Sequence, residues 1–346
     1  MRTEVRMADH DLPCDGSGAS RPEATADRAS GPPGALLLVD VFVDWRGETI
    51  ALVNTKRSVW TDRAVGHDWM CTDATTGEVH RGRVLPIEAH GHTAVVTFGR
   101  GPSPGATVRL SNHGQWYGER RLGGGVLRGR QFLLTAAVFV QLSAWEEVEA
   151  LGRWMQWHAA LGVEHCLIYV NSPEATDAAH MERLRQRFPT NVTFVPFWFG
   201  HGVAFGDQQA ASMHALYTLK GVSKWMLSID VDEYVFIKPD LRSMLRAAPP
   251  GTHAFQFGSY TVSADGVLSG SPQYQTPLKG KVILNTETAT GHSVHMVTDA
   301  IAGRREYSDV VEGNHRHVPP GVGLLAHFHR TAEVARLVDV VFRQYA

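Results

Sequence analysis

The chain has 346 residues, of which 43% are hydrophobic and 20% charged, and its formal charge of -2 offers no broad basic surface, which disfavours nucleic acid as a partner. That length exceeds what one hydrophobic core usually serves and predicts two domains. Cys14, Cys71 and Cys166 are widely spaced with no C-x-x-C pair, which argues against a disulfide framework and a zinc cluster and leaves open only a bridge between Cys71 and Cys166.

Residues 1–33 are rich in Gly, Ser, Ala, Pro, Asp and Arg, show no hydrophobic period and are predicted to form a disordered tail. The first apolar run, Ala35 to Val39, is cut by Asp40 and Asp44 and is far shorter than the ~20 apolar residues of a membrane span. Arg2 and Arg6 precede no apolar secretory core, so the sequence reads as a soluble protein without a transmembrane segment. From residue 34 to 130, short alternating runs (Leu37 to Val43, Thr49 to Val53, Val84 to Glu88, Thr93 to Phe98) are separated by Gly- and Asp-containing turns and predict a small β-sandwich. Gly123-Gly124-Gly125 and Arg128-Gly129-Arg130 read as the exit into a second domain, 131–346.

That domain opens with a buried strand, Phe132 to Val140, and a helix, Trp145 to Leu161, whose apolar positions recur at helical spacing. Strand 166–170, helix 175–188, strand 192–197 and helix 208–219 follow. The alternation predicts an α/β architecture with a mostly parallel sheet, helices on both faces, and a ligand site at the carboxyl ends of the strands.

The sharpest local feature is Trp225 to Phe236, an apolar strand interrupted by Asp230, Asp232 and Glu233. In an extended chain Asp230 and Asp232 share one face and Glu233 takes the other, from which it could orient Lys281 or a ligand hydroxyl. Two carboxylates on one face form a hard-oxygen site for Mn²⁺ or Mg²⁺ bridging to a diphosphate, although D-x-D also occurs as a solvated strand-end cluster. Trp154 recurs with Leu151 at helical spacing and reads as packing against the sheet, whereas Trp198 is the better candidate for stacking on a ligand. Asn191-Val192-Thr193 fits a glycosylation acceptor but opens an apparent strand.

Residues 137–335 resemble the glycosyltransferases of family 92 and the related family-2-like group. The elements that carry the resemblance are Glu147, Trp154-Met155-Gln156-Trp157-His158, Leu161-Gly162-Val163-Glu164-His165, Ile168-Tyr169-Val170-Asn171, Gln208 through His214, Lys224 through Tyr234, Phe257-Gly258-Ser259, Lys281-Val282-Ile283 and His327-Phe328-His329-Arg330-Thr331, all in the family's order. Departures are Val170 and Arg153, each standing where the family has an acid, and Arg330-Thr331 in place of Lys-Ser. The resemblance implies a GT-A fold and a metal-dependent, inverting transfer of a hexose from a nucleotide-diphosphate sugar. UDP-galactose is the donor it points to, and the acceptor is a glycan or another hydroxyl.

The resemblance implies Asp230, Asp232 and His327 as metal ligands, with His329 as the alternative histidine. It implies Glu147, Asn171, Gln208, Asp230, Lys281, His295 and Arg330 as residues that hold the donor. His295 ranks above His292 there. An inverting transfer also needs a base to take the acceptor's proton. Asp265, Glu306, Asp309 and Glu312 lie in polar stretches suited to that role, with Asp265 and Glu312 the leading pair. Relatives anchored in the Golgi leave the compartment open: cytoplasmic for a bacterial enzyme, the Golgi lumen if a leader is missing. Two competing functions remain: a catalytically silent scaffold whose 34–130 region binds glycans, and a metal-dependent phosphoryl- or nucleotidyl-transfer enzyme, against which stands the lack of a G-x-x-x-x-G-K-[ST] loop.

Overall fold

The computed structural model describes residues 36–44, 46–55, 68–85, 93–124, 127, 129, 131–142, 144–188, 190–198, 204–238, 240–263, 266–269, 281–289, 291–293, 296–298, 315–319, 322–328, 337, 338, 340, 341 and 343. The amino-terminal part consists of β1 (Leu36–Val43), β2 (Glu48–Thr55), β3 (Trp69–Asp73), β4 (Val79–Arg81), β5 (Arg83–Val84), β6 (Thr93–Arg100), β7 (Thr107–Asn112), β8 (Gln115–Arg121) and β9 (Gly123–Gly124). They form one sheet of order β5-β6-β2-β1-β9 and another of order β4-β3-β7-β8. Alternating residues Val41, Val43, Ala51, Val53 and Val96 face Trp69, Cys71, Val108 and Leu110 of the second sheet and make a shared apolar core.

The rest of the chain supplies β10 (Phe132–Val140), α1 (Trp145–Ala160), β11 (His165–Val170), a 3₁₀ turn (Pro173–Thr176), α2 (Ala178–Arg187), β12 (Val192–Pro196), α3 (Ala204–Leu219), β13 (Ser223–Ser228), β14 (Glu233–Ile237), α4 (Leu241–Arg246), β15 (Ala254–Phe257), β16 (Ser259–Val262), β17 (Leu268–Ser269), β18 (Lys281–Asn285), β19 (Gly291–Ser293), β20 (Met296–Thr298), β21 (His315–Val318) and β22 (Gly323–His327). The central sheet has the order β12-β11-β10-β13-β18-β15-β21. Its first four strands are mutually parallel, and β18 runs antiparallel between β13 and β15. The period-two pattern divides β10: Leu134, Ala136 and Val138 pack under α1 and α2 on one face, and Ala137 packs under α3 on the other. A second sheet, β14-β22-β16-β17, flanks the first. Helix α1 stops where Gly162 takes φ +102, a left-handed position a side chain would strain.

Several expectations change. The run from Trp225 to Phe236 is not one strand: it breaks into β13 and β14, which belong to different sheets, so Asp230 and Asp232 are not aligned by strand alternation. The break lets the chain pass from one sheet to the other, and the apolar residues on both sides conceal it in the sequence. Helix 175–188 begins as the 3₁₀ turn, with α2 starting only after Asp177 caps it by accepting the Ala179 N–H. Gly123-Gly124 does not simply leave the first unit, because it pairs parallel with Phe42-Val43. Cys71 and Cys166 are free thiols in separate cores, so no bridge joins them. Burial pushes both thiols up to about 12. Among the described residues no helix is long and apolar enough to cross a membrane.

The β1–β2–β6 sheet is apolar on both sides. Its second face, with Val39, Phe42, Ile50, Leu52 and Val95, packs directly on α3 and the central sheet in one continuous core.

Candidate functional site

At the carboxyl end of β13 the chain turns through Ile229, Asp230, Val231 and Asp232 before β14 begins at Glu233. The turn is closed twice: the Glu233 N–H donates to the Asp230 carbonyl at 3.1 Å, and the Asp230 N–H donates to Glu233 Oε2 at 2.8 Å. Three carboxylates therefore converge on a bend rather than on a strand face. On the far side, β14 pairs with β22 so that Glu233 lies opposite His327, and the Phe328 N–H donates to the Asp232 carbonyl at 2.9 Å.

Lys281, the first residue of β18, is 2% exposed and joins two of these acids. Its Nζ donates to Asp230 Oδ2 at 2.7 Å and lies 3.4 Å from Glu233 Oε2. Burial opposes the Lys281 charge, but the two carboxylates outweigh it and hold the ammonium well above its usual range. Burial lifts the Glu233 carboxyl to about 7, with Lys281 pulling against it and Asp230 and Asp232 adding to it. Gln208, on α3, donates from Nε2 to Asp230 Oδ1 at 3.0 Å. Burial works against a charged His327, yet its hydrogen bond with Asp232 and the nearby acids raise its pKa overall. The contact is His327 Nε2 to Asp232 Oδ2 at 3.1 Å.

The residues fit a divalent cation in one specific way. Asp232 Oδ1 is buried and has no hydrogen-bond partner among the described residues, an unsatisfied acceptor that a cation would relieve. That oxygen belongs to a cluster that, among the described residues, joins Asp230, Asp232 and Glu233 with Lys281 and His327. Among the described residues no three His, Cys, Asp or Glu side chains stand close enough to hold an ion unaided. A hard cation that takes one or two protein ligands and completes its shell with phosphate oxygens and water suits such a site. Asp232 and His327 are the groups that could hold it, while Asp230 is engaged by Lys281 and Gln208.

Beside this cluster opens a small cleft lined by Ala137, Val138, Phe139, Tyr169, Gln208, Ala211, Ser212, Ser228, Ile229, Asp230 and Lys281. It lies toward the carboxyl ends of the parallel strands, where ligands of such sheets bind. The cleft and the acidic turn share Asp230 and Lys281.

Helix α1 fixes the turn from behind. β14 is an edge strand, and its outer backbone groups are met by side chains instead of a neighbouring strand. The Trp154 indole N–H donates to the Glu233 carbonyl at 2.9 Å, the Trp157 N–H donates to the Val235 carbonyl at 2.9 Å, and the Val235 N–H approaches His158 Nε2 at 3.5 Å. His158 Nδ1 donates to the Trp154 carbonyl at 2.9 Å, so the ring must be neutral for Nε2 to accept. Burial accordingly pushes its pKa down to about 3. A histidine depressed in this way contributes stability that is complete above its unfolded pKa of about 6.5. That stability is lost as pH falls toward 3, by roughly 1.4 kcal/mol per pH unit. Urea unfolding at pH 7 and pH 5 will show a marked loss at pH 5 that shrinks in a His158→Gln variant.

Of the residues singled out from sequence, Gln208, Asp230, Asp232, Lys281 and His327 come together. Glu147 lies at the start of α1, where its Oε2 accepts the Ala144 N–H at 2.8 Å. Asn171, at the end of β11 two strands from β13, is buried, and its Oδ1 has no partner among the described residues. Val170 is buried in the core beneath α1. Trp198 packs partly against that core. Asp265, His295, Glu306, Asp309, Glu312, His329 and Arg330 lie outside the described residues. Sequence reasoning missed the backbone role of Trp157 and His158 and the place of Tyr169 in the cleft wall. Tyr169 and His158 fell within quoted motifs, but nothing in their spacing revealed these partners.

Residues 141–344 match the family model described as glycosyltransferase family 92. No curated protein sequence matches the chain significantly. Among solved structures, a crystal structure of GalNAc-T7 with UDP, GalNAc and Mn²⁺ is 12% identical, covers 63% of this chain and 49% of that one, and gives a TM-score of 0.36. A cytochrome P450 reductase, GcoB, from Amycolatopsis is also 12% identical, covers 46% of this chain and 50% of that one, and gives a TM-score of 0.15. The chain spans about half the length of each, and at such TM-scores neither likeness carries weight.

Proposed function

The chain belongs to glycosyltransferase family 92, and on that premise we propose that it transfers a hexose from a nucleotide-diphosphate sugar to a hydroxyl of a glycan or glycoconjugate, in the manner of metal-dependent GT-A enzymes. The observation that carries the reading is the acidic turn, where Asp230 lines the cleft and Asp232 has a buried oxygen with no partner among the described residues. Asp232 and His327, with Asp230 as the further carboxylate, would hold Mn²⁺ or Mg²⁺, which would supply positive charge to a diphosphate leaving group.

The chain's own groups have distinct tasks. Gln208 and Lys281 hold Asp230 by both carboxylate oxygens and so set its orientation at the cleft. Glu233 braces the turn through the Asp230 N–H. The Trp154 and Trp157 indoles keep β14, and with it the turn, from shifting. In an inverting transfer the acceptor oxygen attacks the anomeric carbon, the bond to the diphosphate breaks with its electron pair on the phosphate oxygen, and a base takes the hydroxyl proton. Asp265 and Glu312 are the candidates for that base, and Glu147, Asn171, His295 and Arg330 are further candidates for holding the donor.

Calorimetric titration of UDP into the protein with and without Mn²⁺ tests the reading. Binding is expected only when the metal is present, because each neutralises charge brought by the other. If neither UDP nor GDP binds a folded sample containing Mn²⁺, the donor site does not exist and the glycan-binding scaffold becomes the better account.

A further inference from the structure

The β1 ladder is irregular between Leu38 and Asp40, where a bulge adds a residue and alters the alternation of the strand. Bulges of this kind re-aim a side chain. Here the affected residue is Asp40, whose Oδ1 accepts its neighbour's N–H (Val41) at 2.7 Å and whose Oδ2 reaches His214 Nε2, on α3, at 2.9 Å. The two residues are 174 positions apart, and Asp40 lies outside the span that matches the family. Phe42, on the same face of β1, packs edge-on against the imidazole with ring centroids 5.3 Å apart.

His214 is 5% exposed, and its other nitrogen, Nδ1, lies 2.7 Å from the Tyr169 hydroxyl. A carboxylate only accepts, so Nε2 carries the proton given to Asp40, which leaves Nδ1 to meet the Tyr169 hydroxyl, with Thr218 Oγ1 3.4 Å from the same nitrogen. Burial, with the Asp40 charge adding to it, holds the Tyr169 hydroxyl well above its ordinary pKa, so it remains a donor. Tyr169 stands in the wall of the cleft that also contains Gln208, Asp230 and Lys281. The chain Asp40–His214–Tyr169 thus runs from the amino-terminal sheet to the cleft.

We propose that Asp40 and His214 are positioning residues for the nucleotide-sugar cleft, so that the amino-terminal β unit builds part of the donor site through Tyr169. The inference rests on the donor reading above and extends it to residues outside the transferase part. Asp40 acts by selecting the His214 tautomer, which in turn fixes where the tyrosine hydroxyl and ring stand. The Asp40 side chain is 44% exposed, so truncating it leaves no cavity.

The test uses the full chain as wild type, Asp40→Ala and Asp40→Asn, each titrated with UDP in the presence of Mn²⁺, with His214 followed by long-range ¹H–¹⁵N NMR. The alanine variant is expected to bind UDP about tenfold more weakly, the usual scale for losing an orienting partner. In Asp40→Asn a single amide oxygen must serve the Val41 N–H and the Nε2 proton, which the carboxylate meets with separate oxygens, so binding is expected to fall between alanine and wild type. The Nε2–H tautomer should dominate in wild type and give way to a mixture in Asp40→Ala. UDP binding unchanged by Asp40→Ala, or a wild-type His214 protonated on Nδ1, would each overturn the proposal. A wild-type chain that binds no UDP at all sinks the donor reading itself, while the tautomer measurement still decides the hydrogen-bond chain.

Discussion

Asp232→Asn is expected to lower kcat/KM for sugar transfer by about 10²–10³-fold, the range seen when one preorganised electrostatic group aimed at developing charge is removed. The substitution keeps the side chain's size and a polar contact for His327, but removes the negative charge that a cation would meet at Oδ1, which has no partner among the described residues. Thermal unfolding of the variant should stay close to wild type, because Asp232 has no lysine or arginine ion-pair partner among the described residues whose loss would leave a charge stranded. The measurement is initial rates with UDP-sugars across a Mn²⁺ series, alongside a thermal melt. Full activity in Asp232→Asn would remove Asp232 from the metal site and leave the proposed chemistry without its support.

Lys281→Met is expected to cost stability rather than rate alone, by about 3–5 kcal/mol, because it leaves Asp230 and Glu233 without the cation they share. The pH dependence has a definite sign. An acid whose folded pKa lies above its unfolded value carries a penalty that is absent at low pH and grows as pH rises through the carboxylate range. The deficit of Lys281→Met should therefore shrink between pH 8 and pH 5. Adding Glu233→Gln should recover part of it at pH 8, since the amide oxygen can still accept the Asp230 N–H while one buried charge is gone. Denaturant melts of the single and double variants at both pH values check this. A single variant as stable as wild type at pH 8 would mean that the lysine does not neutralise the pair.

Much of the central architecture was legible in the sequence. The apolar runs at β10, β11 and β13 and the helical spacing of α1 and α3 follow from periodicity, since those elements bury whole faces or stripes. The turn at Asp230–Glu233 was not legible. It has no glycine or proline, and two apolar strands joined by three acids look the same as one long strand. Nor was the clamp by Trp154, Trp157 and His158 readable in full. Spacing placed Trp154 against the sheet, but whether an indole N–H meets a backbone carbonyl depends on β14 being an edge strand, a property of the assembled sheets. β3, β7 and β8 went unanticipated because they are half polar, with alternation spread over short segments such as Trp69–Asp73. The pairing of Asp40 with His214 had no local signal, because it joins residues brought together only by tertiary packing.

The double-sided sheet of the amino-terminal unit has a further meaning for how the molecule holds together. Leu52, Val95 and Phe42 belong to the same apolar body as α3 and the central strands, whereas Ala51 and Val96 serve the sandwich interior. Neither half, released at the segment around residue 130, would have a water-compatible exterior where the other had been. The point at which the sequence changes character is thus not a point at which the molecule comes apart. Melting should engage both halves in a single cooperative event, and a nick in the connecting segment should leave them associated.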